Sequence, residues 1–543
     1  MDGIKLAAAE VVVSANETAT PFPHALPGHK QLMGIFAGAY VVYCIISAVY
    51  LVFFHPLSKF PGPKLWAVSR IPWAYYVIRG DLWAVLDELH HNYGGSVRIA
   101  PDEVTTIKPG AWKDIYVAKP VLAKDPYSLT PPLNGAHSLF TAEGDTHRRL
   151  RGALVNGFAD KALRDQAPIV EGYADQLIAR LRREAAKSKT AGGGGGGGHG
   201  QVIDIQRIFG YATFDTVTDL SFGESLLNTL ERDTDNDEIR AFFLHAKFST
   251  IRNCLSRFSP LDVLLGLFLL GATRATRERN WRLTTAKIER RLARGDLTGV
   301  RSDLLTPLVG KLDDGAALKG TISRKELTTN QLAFVIADCQ LTTVALATAT
   351  YLLLRDPPKW RLLADEVRAR FERDDQITVQ ATTQTLPYLE AVINETMRFR
   401  HPTPISLPRC IPPGGRTVDG QHIPGNTIIG INLQNIQTTP TLWADPHEFH
   451  PERFLPASDP RYSRRFDGDV KEAFMPFSAG PRNCLGSKVY LAQARMFLAK
   501  VVWNFDLAMR DPQRDWLDQK AYLVFEPKPL FVELSEPERE MRV

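Results

Sequence analysis

The sequence predicts a mainly α-helical protein with small β-sheets, carried on one N-terminal membrane-spanning helix, and three features point there. Helical periodicity dominates from Leu82 to Arg398. β-prone pieces are short and few, with no strand–helix alternation and no internal repeat, which argues against a doubly wound sheet. An uncharged run of 23 residues, Leu32 to Phe54, stands near the N-terminus. Composition agrees: 44% of the 543 residues are hydrophobic and 23% charged, the balance of a globular body rather than of a disordered or polytopic chain. Five cysteines, an odd number, exclude a disulfide framework. Lys and Arg outnumber Asp and Glu by only 65 to 60, and no basic stripe is interleaved with aromatics, so no nucleic-acid partner is expected.

Taken in order, residues 1–31 form a tail with an acceptor tripeptide at Asn16-Glu17-Thr18, which makes Asn16 the expected glycosylation site if the tail is luminal. The run 32–54 reaches about 34 Å at ~1.5 Å per residue, enough to cross a hydrocarbon core of about 30 Å. Lys59, Lys64 and Arg70 follow it, and the positive-inside rule then puts the body in the cytosol. Residues 55–64 hold Pro56, Pro61 and Pro63 around Gly62, which stops the helix and makes a stiff elbow. Residues 65–543 form the body. Helices are expected at Leu82–Tyr93, Arg148–Phe158, Ala167–Ala186 and Gln331–Leu354, and β pieces at Ser96–Ile99, Val104–Ile107 and Thr427–Leu433. Gly192–Gly198 is a run of seven glycines with no strand before it and no Gly-Lys-Ser/Thr after it, so 192–200 reads as a flexible loop, not a phosphate cradle. Leu261–Leu270 is strongly apolar but too short to span; a core helix and a surface dipping into the membrane both suit it.

The chemistry concentrates in Phe477-Ser-Ala-Gly480-Pro-Arg482-Asn-Cys484-Leu-Gly486, followed by a helical run from Ser487 to Asn504. A cysteine just before a helix N-terminus has the macrodipole and free N–H groups that favour a thiolate. Gly480 and Gly486 let the backbone approach something flat and bulky, and Arg482 offers a cation to an acidic group. This stretch matches F-x-x-G-x-R-x-C-x-G throughout and resembles the signature of the cytochrome P-450 superfamily. The resemblance implies a haem (haem b, iron protoporphyrin IX) held by Cys484 as axial ligand, with Phe477 and Gly486 shaping the loop. Glu395-Thr-Met-Arg398 looks like the family's E-x-x-R motif, where i and i+3 share a helix face. Phe449-His-Pro-Glu-Arg453-Phe resembles its P-E-R-F element, so Arg453 is expected to complete a buried Glu–Arg–Arg set. Together these stretches imply the P-450 fold and one catalytic domain for the whole body.

Further roles follow from the same resemblance. Arg409 and Arg482 are expected on the haem propionates. His147 and Arg151 look like the family's Trp-x-x-x-Arg pair with His in place of Trp; the alternative is a solvated helix face. The long central helix departs from the family's A-G-x-D/E-T-T. Aligned from Tyr351-Leu-Leu-Leu354-Arg-Asp-Pro357, the glycine becomes Asp338, the acid Gln340 and the alcohol Leu341; a one-residue slip instead puts Thr342 in the alcohol position. Thr342, Asp338 and Gln340 are therefore the candidates for proton handling, with Cys339 as a small filler. The expected activity is a haem-thiolate monooxygenase, anchored in the endoplasmic reticulum membrane with its body cytosolic. It would take electrons from NADPH through a separate reductase and oxidise a hydrophobic polyketide or terpenoid. The general pattern resembles fungal secondary-metabolite members. Rearrangement, dehydration or ring closure without net oxygen insertion is the first alternative, and a non-catalytic haem-binding protein the second. Lys488, Arg495 and Lys500, with Arg461, Arg464, Arg465 and Lys471, are expected to form a basic face for the reductase.

Overall fold

The computed structural model describes residues 29–128, 134–191, 201–232, 247–258, 278–295, 301–313, 320–510, 513–526 and 528–537. Asn16, the glycine-rich stretch 192–200 and the apolar segment Leu261–Leu270 lie outside the described residues.

The apolar run forms α1 (His29–Val49), which continues through a π-helical turn at Tyr50–Phe54 and leaves the helix at His55. Two described helices are long and apolar enough to cross a bilayer. Lys30–Phe54 buries nothing against the body, whereas Arg324–Arg355 is 72% buried and therefore a core helix. The proline elbow follows, and Gly62 is required within it: a Cβ there would lie 2.4 Å from the Arg98 carbonyl oxygen. Arg98 also donates its guanidinium to the carbonyls of Leu51 and Pro101, at 2.7 Å each, so the end of the apolar helix is tied to the body.

Beyond the elbow, α2 (Leu82–Tyr93) has the expected bounds. Strands β1 (Ser96–Ala100), β2 (Glu103–Thr106) and β3 (Ala123–Lys124) follow, then α3 (Gly144–Leu154), α4 (Asp160–Ala191) and α5 (Ile205–Phe222). The expected helix Arg148–Phe158 thus begins a turn earlier and tightens into a 3-10 turn over Val155–Phe158. Next come α6 (Arg324–Arg355), α7 (Pro387–Phe399), β4 (Arg409–Cys410), β5 (Ile428–Ile431) and α8 (Ser487–Asn504). A hairpin, β6 (Ala521–Tyr522) and β7 (Val524–Phe525), lies near the C-terminus.

One sheet runs in the order β1-β2-β5-β4-β3, with β2 and β5 parallel and the other pairs antiparallel. Its register sets Lys124 opposite Arg409. The largest core cluster draws on α4, α5, α6, α7 and α8. Helix α6 starts from a reciprocal cap in which Ser323 accepts from the Glu326 backbone and the Glu326 side chain accepts from that of Ser323. Arg149 of α3 pairs with the same Glu326 at 2.6 Å. The architecture thus runs the long α6 through the core, between α5 on one side and α8 on another.

Candidate functional site

The cysteine loop is held by its own backbone. Ser478 (φ 60°) and Gly480 (φ 76°) both adopt the left-handed conformation, and a Cβ on Gly480 would lie 2.1 Å from the Tyr116 carbonyl oxygen. The Cys484 N–H donates to the Phe477 carbonyl at 2.9 Å, closing the loop. Cys484 is solvent-accessible although protein surrounds it on nearly all sides, as for a residue on the wall of a cleft. The Cβ direction of Gly486 opens onto free space. Burial pushes the thiol up, while the N–H groups of Gly486 and Ser487 pull it down and lose the contest. The Gly486 and Ser487 N–H groups act in the direction expected of a helix N-terminus, with burial opposing them.

One corner of the site is crowded with basic residues. Arg409 is buried, its guanidinium on the Leu407 and Pro408 carbonyls and over the Tyr116 ring. Lys124, its cross-strand neighbour, donates to the carbonyls of Leu139, Phe140 and Ala142, and burial followed by the Arg482 charge lowers its amine to about 8. Arg482 pairs through both terminal nitrogens with Glu143. Burial works against the Glu143 charge, but the Arg482 bonds outweigh it and hold the carboxyl below its usual range. His147 is buried on α3; burial first, then Arg482, Lys124 and Arg151, lowers it to about 4, so the ring is neutral at physiological pH. Arg151 donates to the carbonyl and side-chain oxygens of Asn483, at 2.9 and 2.5 Å, which fastens α3 to the cysteine loop. His147 and Arg151 are accordingly not a solvated face. Several cations sharing one carboxylate suit an anionic ligand. With a cysteine-walled cleft beside them, these residues fit a haem and its two propionates.

A second cluster is an ion network with fully buried side chains. Arg398 pairs with both Glu395 oxygens at 2.7 and 2.8 Å and donates to the Gln437, Pro446 and Glu448 carbonyls. Arg453 stands 3.1 Å from Glu395 and pairs with Asp469 at 2.5 Å. Asp469, which sequence reasoning did not include, makes the set two acids and two bases. That balance answers the desolvation cost of burying two arginines.

The central segment of α6 sends its residues three ways. Cys339 and Thr343 face α5, where Thr343 and Thr213 hydroxyls meet at 2.7 Å. Leu341 packs with Val344, Val524, Phe525 and Trp83. Asp338 and Thr342 face α8: Gln493 donates to Asp338 at 2.7 Å and Thr342 donates to it at 3.4 Å. Burial pushes the Asp338 carboxyl up to about 6. Gln340 is buried in the same segment.

Of the residues expected on a basic face, Lys500 is buried, Arg464 is exposed, and the others carry acidic partners. Lys500 is 2% exposed and pairs with Asp175 and Asp374 at 2.7 and 2.6 Å, a structural cation between α4 and α8. Lys488 pairs with Asp160, Arg495 with Glu390, Arg461 with Asp459 and Glu366, Arg465 with Asp445, and Lys471 with Asp469.

A family description, cytochrome P-450, matches residues 60–534. The chain belongs to the cytochrome P-450 family. A cytochrome P-450 monooxygenase of Stereocaulon alpinum is 33% identical, covering 93% of this chain and 97% of its own length. The averantin hydroxylase of Dothistroma septosporum is 34% identical over 92% of this chain and 90% of its own length. The versicolorin B desaturase of the same organism is 31% identical over 93% and 94%. The protein is thus a P-450 monooxygenase of the fungal secondary-metabolite kind, an oxidoreductase that uses haem iron and receives electrons from a redox partner.

Proposed function

We propose that this P-450 oxidises a hydrophobic polyketide or terpenoid intermediate by hydroxylation, epoxidation or desaturation, on haem b held by Cys484. One observation carries the site assignment: the cleft-wall cysteine, with backbone N–H groups on its sulfur, opens beside a corner where Arg409, Arg482 and Lys124 share the single carboxylate of Glu143. The relatives named for hydroxylating averantin and desaturating versicolorin B support the substrate class.

Bound haem supplies the one-electron and dioxygen chemistry that side chains lack. The chain's residues do the rest. Cys484 offers its sulfur, and the Gly486 and Ser487 N–H groups temper the charge on it. Arg409, Arg482, Lys124, His147 and Arg151 would hold the propionates. Leu341, Val524 and Phe525 form an apolar wall that keeps water from the cleft. Asp338, rather than an alcohol at position 341, holds the proton that the central helix delivers, with Thr342 as its neighbour.

NADPH through a separate reductase is the proposed electron source. The apolar Lys30–Phe54 helix supports a single-pass anchor, with the endoplasmic reticulum as the proposed membrane, Asn16 on the luminal side and the body in the cytosol. Reconstitution with reductase under isotopically heavy dioxygen, read by product mass spectrometry, tests the reading: a product carrying one heavy oxygen supports insertion. A product two hydrogens lighter with no added oxygen supports the desaturation reading, which the altered central helix and the desaturase relative both favour. Turnover independent of dioxygen and reductant would overturn both.

A further inference from the structure

Gln493 lies on α8, nine residues after Cys484 and three after Tyr490. Its side chain is 0% exposed; Nε2 donates to Asp338 Oδ2 at 2.7 Å, and the equally buried Oε1 meets no donor. Asp338 receives one other side-chain bond, the long one from Thr342, and no cation pairs with it among the described residues.

The chemistry of this partner matters. A lysine or arginine would lock Asp338 as a carboxylate, and an apolar side chain would leave it a neutral acid. A primary amide serves both forms. Its NH2 end donates to the carboxylate, and after a half-turn of the amide its oxygen accepts from the acid O–H. The idle Oε1 is the end that the ionised form does not use. We propose that Gln493 is the positioning residue that keeps Asp338 exchangeable between acid and carboxylate, and thereby sets the proton supply of the central helix. The inference rests on the reading of Asp338 given above.

The surroundings leave Gln493 in control. From α8 and the cysteine loop, Tyr490 and Cys484 feel the Asp338 charge. Cys339, beside Asp338 on α6, turns to α5, and the α5 carboxylate Asp215 is felt at Cys339 rather than at Asp338. Burial holds the Asp338 acid at about 6 against the two donors, so both forms coexist near neutrality.

The test uses the full-length haem-loaded protein in its resting state. Infrared difference spectra against Asp338→Asn isolate the Asp338 carboxyl band, which should titrate with a midpoint near pH 6. Gln493→Met keeps the bulk and removes both ends of the amide; the midpoint should rise by about one pH unit or more, a tenfold gain in proton affinity. The pH profile of hydrogen peroxide release should move by the same amount. Gln493→Glu, the second variant, sets two carboxyls to share one proton, and the midpoint should rise again. A midpoint unchanged in both variants, or no Asp338 carboxylic band in the wild type, overturns the proposal. The reduced carbon monoxide spectrum separates the two readings: an absent thiolate-type band in the wild type would remove the haem-site assignment while leaving the Asp338 titration intact.

Discussion

Two regions flank the same cleft and are built by different rules. The cysteine side is over-determined. Its loop is closed by its own backbone, its cations are fixed by carbonyls and by Glu143, and it comes with an ion cluster whose side chains are fully buried. The central-helix side has little such support: Asp338 rests on one short bond from Gln493 and one long bond from Thr342. The difference teaches that the cysteine side is held by many mutually supporting contacts, whereas the proposed proton-handling residue Asp338 depends on two.

The largest expected effect tests the cysteine side directly. Cys484→Ala should abolish the reduced carbon monoxide band of thiolate ligation, and a surviving band would move the ligand to another of the five cysteines. Next is the ion cluster. Glu395→Ala strands Arg398 and Arg453 with one acid between them, and breaking a buried pair in this way costs about 3–5 kcal/mol. The measure is a denaturation midpoint, or loss of haem-loaded protein on expression. A change near 1 kcal/mol, typical of an exposed pair, would place the cluster on the tolerant side of the comparison.

On the central-helix side the fold should survive and chemistry should suffer. Asp338→Ala should release more hydrogen peroxide per reductant consumed than Thr342→Ala, by up to the roughly hundredfold that a positioned acid contributes. If Thr342→Ala is worse, the slipped alignment holds and the alcohol leads. If neither matters, protons come from substrate or water. The smallest effect is pH-dependent. His147 is lowered from 6.5 to about 4 in the folded protein, so the unfolded chain binds its proton first on acidification. Its contribution is neutral above that window and destabilising as pH falls through it. His147→Gln should therefore flatten the loss of stability between about pH 6.5 and 4, read by urea denaturation at stepped pH.

Much of the cysteine side could be read in the sequence because its signals are local. The motif runs straight into the helix Ser487–Asn504, and Glu395 and Arg398 are one helical turn apart; the structure keeps both. What escaped notice depends on distance. Glu143 meets Arg482 across 339 residues, and Gln493 meets Asp338 across 155. Lys124 reaches the basic corner on a strand of two residues, too short to show alternation. Lys500 reads as one more surface lysine until α4 and the Asp374 turn close over it. Charge type was visible there; the partner that converts a steering charge into a structural one was not.

The bond from Arg98 to Leu51 has a consequence for how the protein searches for what it needs. A body hung on a loose tether would tumble, and its cleft would sweep all directions. Here the guanidinium joins the last turns of the apolar helix to β1, while the Pro61 carbonyl accepts from the Arg98 backbone at 2.8 Å. With the helix in a bilayer, as proposed, rotation is largely removed and translation is confined to a plane. Reductase and lipid-dissolved substrate are then met in a two-dimensional search at fixed height and tilt. Arg98→Ala would loosen this tie, leaving the elbow held by its prolines and by Leu57 and Phe60 in the core.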